Sequence, residues 1–108
     1  MVNYESLEKA KNYNAITTIC KILGNMNRLR IITCLEKKSY SFGELLKELA
    51  INPKVLDDHL NVLIANKLVA KSYPYRVYTL TPAGHVTKQG LDAFTGYITR
   101  IADVLKEE

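Results

Sequence analysis

Cysteine is scarce in this chain, with two residues among 108. Two thiols cannot build the disulfide framework that holds small secreted domains together, so the fold has to rest on an apolar core. No run of about 18 apolar residues occurs, which leaves no candidate membrane-spanning helix. The opening Met-Val-Asn-Tyr-Glu brings an early acid and no apolar segment, so no secretory signal is expected. Internal repeats, low-complexity tracts and Pro/Gly/Ser-rich linkers are missing, and with them any sign of a domain boundary. Catalytic groupings are missing as well. There is no Ser/His/Asp or Cys/His set, no phosphate loop and no paired-carboxylate site, so an enzyme is not expected and no cofactor is implied.

What is present suits an ordinary globular domain spanning residues 1–108. Apolar residues make up 47% and charged residues 24%, and a chain of this length buries roughly 60–70% of its unfolded surface. A cytoplasmic protein is the expectation. Lys and Arg number 15 against 11 Asp and Glu, a formal charge of +4. The excess is uneven: residues 25–80 hold nine basic and five acidic side chains, whereas residues 81–108 hold three and four. A positive balance concentrated in the middle of the chain permits an acidic partner such as DNA.

Periodicity divides the chain. From Asn3 to about Leu23 the spacing of Tyr13, Ile16, Ile19, Cys20, Ile22 and Leu23 is helical, with a wide apolar arc, and Gly24 is expected as the C′ residue. Asn25 can cap a second helix, Met26 to about Lys37, with Leu29, Ile31, Ile32 and Leu35 inward. Ser41-Phe42-Gly43-Glu44 is a capping box opening a third helix that carries Phe42, Leu45, Leu46 and Leu49 on one face. Asn52-Pro53 starts a fourth, reaching about Asn66 and burying Val55, Leu56, Leu60 and Leu63. The period then turns extended over Leu68 to Tyr73 and Arg76 to Leu80, with Pro74-Tyr75 as the turn between them. Thr81-Pro82 restarts a helix running to about residue 106, on which Leu91, Phe94, Ile98, Ile101 and Leu105 form a narrow heptad-like seam. The expected fold is mainly α with a small β-hairpin: four helices, the hairpin and a last helix.

Two short helices joined by a tight turn and followed by a hairpin have the shape of a winged helix-turn-helix. At these residues the chain resembles the ArsR-type winged-helix transcriptional regulators, with MarR-like and PadR-like relatives close behind. The resemblance spans about Leu23 to Gly84. It is carried by Leu23-Gly24-Asn25-Met26-Asn27-Arg28-Leu29-Arg30-Ile31-Ile32 at the entry to the second helix, by His59-Leu60-Asn61-Val62-Leu63 in the fourth, and by Tyr78-Thr79-Leu80-Thr81-Pro82-Ala83-Gly84 at the exit from the wing. The metal-sensing branch of that family places a Cys-x-Cys pair where this chain has Ser41-Phe42-Gly43. Its other sensing pattern needs several His and acidic residues on the last helix, where this chain has His85. Metal sensing is therefore not carried over.

The resemblance implies a DNA-binding regulator, by default a repressor, with double-stranded DNA as partner and an unknown effector. On the fourth helix Lys54, Asp57, Asp58 and Asn61 fall at i, i+3, i+4 and i+7, opposite the leucines, and form the expected base-reading stripe. Asn61 can pair bidentately with adenine, and Asp can accept from the cytosine amine. On the hairpin, Lys71, Tyr75 and Arg76 are candidates for phosphate or minor-groove contact, while Tyr73 and Tyr78 are expected to pack. Arg28 and Arg30 suit phosphates or surface salt bridges equally. Cys20 and Cys34 are expected as small buried apolar residues, His59 as a packing residue and His85 as exposed.

The seam of Leu91, Phe94, Ile98, Ile101 and Leu105, with Ile16, Ile19 and Leu23 on the first helix, is expected to form a homodimer surface. A two-fold dimer would present two reading helices about 34 Å apart and call for a palindromic operator. The alternative is a winged helix used as a protein-interaction module, favoured by the two acids on the reading face, with no specific DNA target.

Overall fold

The computed structural model describes residues 4–107, with side chains from residue 12 onward; the expected helix start at Asn3 lies outside the described residues. The elements are α1 (Tyr4–Leu23), α2 (Met26–Lys37), β1 (Tyr40–Ser41), α3 (Phe42–Leu49), α4 (Pro53–Ala65), β2 (Val69–Ser72), β3 (Val77–Leu80) and α5 (Pro82–Glu107). Each helix start that the sequence marks with a cap is built from that cap. The Asn25 side chain accepts from the amides of Asn27 and Arg28, Asn52 accepts from Lys54, and Thr81 Oγ1 accepts from Gly84. At Ser41 the box closes in both directions: the Glu44 amide donates to the serine hydroxyl, and the Ser41 amide donates to the Glu44 carboxylate. These contacts with Ser41 hold the Glu44 carboxyl below its usual range.

The apolar faces of α2, α3 and α4 meet in one core of Ile31, Ile32, Leu35, Leu45, Leu49, Leu56, Leu60 and Leu63. Leu68, Val69, Tyr78 and Leu80 close it from the sheet, and Ile22 reaches in from α1. Fully burying a leucine is worth about 1.5–3 kcal/mol. The three wholly buried leucines of α4 therefore fix that helix and leave its opposite face free for other work.

Several expectations are corrected. The hairpin is part of a three-stranded antiparallel sheet in the order β1-β3-β2, with Tyr40 opposite Tyr78 and Ser41 opposite Val77. The strands are shorter than expected, and residues 73–76 form the turn. Val55 is 38% exposed rather than buried, because it lies about 100° around α4 from Leu56, outside the Leu56-Leu60-Leu63 stripe. Cys20 is exposed and Cys34 half-buried, since Ile19, Ile22 and Leu23 already supply the contacts of α1 with the core. Gly24 is not a left-handed C′ residue, for no described glycine has positive φ. It is small because a Cβ there would come within 2.9 Å of the Cys20 carbonyl oxygen. Tyr73 is exposed at the wing tip, whereas Tyr78 is buried as expected. Arg28 is engaged within the chain rather than in a surface salt bridge: its Nε and Nη2 donate to the carbonyls of Ile22 and Lys21, capping the C-terminus of α1.

The structure is elongated. Its radius of gyration is 16.7 Å, against about 13 Å for a compact domain of this length. The long helices α1 and α5 extend past the core that the middle elements share.

Candidate nucleic-acid interface

The turn between α3 and α4 sets the pose of α4, the candidate reading helix. Ala50, at the C-terminus of α3, adopts the left-handed conformation with φ 52°, and its amide donates to the Leu46 carbonyl. The chain reverses through Ile51, and Asn52-Pro53 starts α4 at once. With Leu56, Leu60 and Leu63 inward, Lys54, Asp58 and Asn61 are exposed together on the outer face, and Asp57 sits half-buried beside them.

Both acids on this face are paired. Asp57 Oδ1 accepts from Arg76 Nη2 at 2.7 Å, and its other oxygen accepts from Asn61 Nδ2 at 3.4 Å. Asp58 lies 3.6 Å from Lys54 Nζ, one helical turn away. The face that looks acidic in the sequence is therefore close to neutral. Arg76 couples α4 to the wing and to α3. Its Nε donates to the Tyr78 hydroxyl at 3.1 Å, and its guanidinium stacks 4.0 Å from the Phe42 ring centroid. Its backbone carbonyl accepts from the Phe42 amide. Burial opposes charge on Arg76, but the bonds to Tyr78 and Asp57 outweigh it and raise the pKa above the ordinary arginine value.

The structure thus brings Lys54, Asp57, Asp58, Asn61 and Arg76 into one cluster. Lys71 and Tyr75 stand apart on the wing: the Lys71 ammonium lies 5.1 Å from the Tyr73 ring centroid, and Tyr75 is 78% exposed at the tip. Phe42 and Tyr78 are the site residues that sequence reasoning missed. Phe42 was legible as an apolar position of α3, but its stacking under an arginine 34 residues later in the chain was not. His59, on the flank of α4, is half-buried, and Arg28 Nη1 approaches its Nδ1 to 3.5 Å. A guanidinium only donates, so this contact favours the tautomer with the proton on Nε2. Among the described residues no three His, Cys, Asp or Glu side chains come together as a metal site, and no helix is long and apolar enough to cross a membrane.

Comparison with known proteins agrees with this architecture. The profile of bacterial regulatory proteins of the arsR family matches residues 25–71, from the cap of α2 to the middle of β2. A helix-turn-helix transcriptional regulator of Methanocaldococcus jannaschii is 32% identical over 88 residues, which cover 75% of this chain and 82% of that protein. Among solved structures, the transcriptional repressor BigR of Xylella fastidiosa is similar with a TM-score of 0.71 and 26% identity, over 91% of this chain and 96% of BigR. A transcriptional regulator homologue of Pyrococcus horikoshii aligns with a TM-score of 0.65 and 30% identity, over 80% and 95% of the two chains. A mainly helical winged fold, a reading helix anchored by three leucines and these relatives converge: the chain belongs to the ArsR family of winged helix-turn-helix transcriptional regulators, DNA-binding proteins rather than enzymes.

Proposed function

We propose that this regulator works as a homodimeric repressor on a palindromic operator, with α4 in the major groove and the wing on the flanking backbone. The observation that carries the reading is the division of apolar surface. The reading helix is fully anchored, while α5 and α1 expose Phe94, Ile98, Ile101 and Leu105 together with Tyr13 and Ile16. An exposed apolar stripe of this kind marks an interface. A second copy of the chain is the natural cover, with Ile19, Leu23 and Leu91, all half-buried, at its inner edge. A two-fold axis through these helices would set two α4 helices about one DNA turn apart. That the Xylella fastidiosa relative is a transcriptional repressor supports repression by occupying a promoter.

On α4, Asn61 and Lys54 are the candidates for base and phosphate contact. Asp57 and Asp58 hold those side chains and Arg76 in position, and either can be released to a cytosine amine. Lys71 and Tyr75 extend the wing toward the backbone or minor groove. The protein-interaction alternative rested on a free acidic face; with both acids paired inside the chain, that support is gone.

The test is the salt dependence of duplex binding by the full chain, followed by fluorescence anisotropy. The logarithm of affinity should fall with the logarithm of salt by about 0.9 per phosphate neutralised, and footprints should show two half-sites about one turn apart. A flat dependence, or no duplex binding at low salt, overturns the proposal.

A further inference from the structure

A cleft of about 320 Å³ opens along α2 and is closed at its far side by β1 and the end of α3. None of its lining residues belongs to α4, the wing strands or α5, so it is separate from the reading face. Its volume lies at the lower end of the range for small-molecule sites. The walls are apolar and polarisable: Met26 and Leu29 from α2, Leu49 from α3 and the Tyr40 ring from β1. Arg30 and Lys37 stand two turns apart on the same face of α2. At about 10.5 Å between backbones, two such long side chains can converge on one anion. Among the described residues neither has a carboxylate within ion-pair distance.

We infer that this cleft binds a small aromatic monocarboxylate, its ring against Met26, Leu29 and Tyr40 and its acid group held by Arg30 and Lys37. Sulfur and aromatic edges favour a ring over an aliphatic chain, since sulfur–aromatic contacts add to simple burial. Two cations against the one carboxylate of Glu48, also in the lining, leave a net charge that suits one negative group and disfavours two. Cys34 lies in the same cleft, and burial, then the Glu48 carboxylate, push its thiol pKa up despite Lys37 and Arg30. It therefore stays a neutral thiol and packs against the ring without forming a bond to it, so the binding is reversible. Tyr40 pairs with Tyr78 in the sheet, and an occupant of the cleft lies one strand away from the wing. The binding step itself does not depend on the DNA-binding reading and is measured without DNA.

The experiment is an amide-resolved NMR titration of the full chain with 2-naphthoate, using the neutral 2-naphthylmethanol as control. Saturable shifts are expected at Leu29, Cys34 and Tyr40, with a dissociation constant of roughly a millimolar or below. The alcohol should bind at least about fivefold more weakly, and the exposed double substitution Arg30→Gln/Lys37→Gln should weaken naphthoate by a similar factor while leaving the melting temperature unchanged. Thr33→Trp, which fills the cleft from an exposed position of α2, should abolish the shifts. Equal affinity for acid and alcohol, indifference to the loss of both cations, shifts confined to the apolar stripe of α5, or no saturation at all would each overturn the inference.

Discussion

The two halves of α5 live in different surroundings. From Pro82 to Leu91 the helix packs against α2 and β3, with Gly84 and Lys88 as its buried residues. Thr81 ties its start to the loop between α4 and β2, with Oγ1 donating to the Lys67 carbonyl at 2.6 Å and its amide to the Leu68 carbonyl at 3.1 Å. Gly84 is buried against the same loop, and Lys88, only 7% exposed, donates to both oxygens of Asp92 and reaches Glu36 on α2 at 3.4 Å. From Asp92 to Glu107 every residue is exposed, yet the apolar content persists in Phe94, Tyr97, Ile98, Ile101, Val104 and Leu105. The inner half is explained by contacts within the chain. The outer half has no such explanation, and an isolated helix of that length is marginal in water. An exposed apolar pattern of this kind is what the proposed dimer surface requires.

The strongest way to break the inner half is Gly84→Ala. A Cβ there would overlap the Leu68 carbonyl oxygen and stand 3.0 Å from Leu80. Neither the backbone oxygen nor the buried leucine can give way cheaply, so thermal unfolding should show a loss of about 2–4 kcal/mol. The outer half should respond differently. Ile101→Glu puts a charge into the exposed stripe, so the protomer should keep its fold to within about 0.5 kcal/mol. The proposed dimer should dissociate in sedimentation, and affinity for a two-half-site duplex should drop about 100-fold. A variant that stays dimeric would remove α5 from the interface.

The contrast also shows what a sequence can and cannot carry. Caps are written locally, in a side chain and the amides two or three residues on, and Asn25, Ser41, Asn52 and Thr81 were all legible for that reason. The leucine stripe of α4 was legible from its period, and so was the outward face it leaves. Strand β1 was not, because two residues have no period and Tyr40–Ser41 become a strand only by pairing with β3. The pairing of Asp57 with Arg76 was equally hidden. Two acids on a reading helix looked like an obstacle to phosphate until the fold placed an arginine from 19 residues away on one of them. Nothing local in the sequence marks Lys88, and only the packing of α5 on α2 shows it to be buried.

That lysine gives the next measurement. Lys88→Ala removes one end of a charge-assisted cluster whose other members, Asp92 and Glu36, remain partly exposed. The expected cost is therefore moderate, about 1–2 kcal/mol. Hydrogen bonding to Asp92, against the opposing effect of burial and aided by Glu36, raises the Lys88 pKa above its ordinary value. A base whose folded pKa is raised lends stability in full below the unfolded value near 10.4, and loses it as pH climbs through the raised value. Denaturant melts of the native chain should accordingly weaken above about pH 10.4, and Lys88→Met should lack that part of the decline. Parallel curves for the two proteins would show that the lysine contributes only its packing.

The smallest effect is the sharpest probe of the comparison, because it repeats the first substitution in the other half of the same helix. A Cβ at Gly96 would meet nothing within 4 Å. With Leu91, Ile98 and Leu105 at one seam position and Phe94 and Ile101 at the other, Gly96 falls on the far side of the helix, away from the proposed partner. Gly96→Ala should therefore add only helix propensity, stabilising by about 0.5–1 kcal/mol in the same melt where Gly84→Ala destabilises. Opposite signs from one chemical change, 12 residues apart on one helix, would show that the inner half is shaped by close packing and that the rear of the outer half is open. A loss of stability at Gly96 would instead place a surface behind α5 and move the interface around the helix.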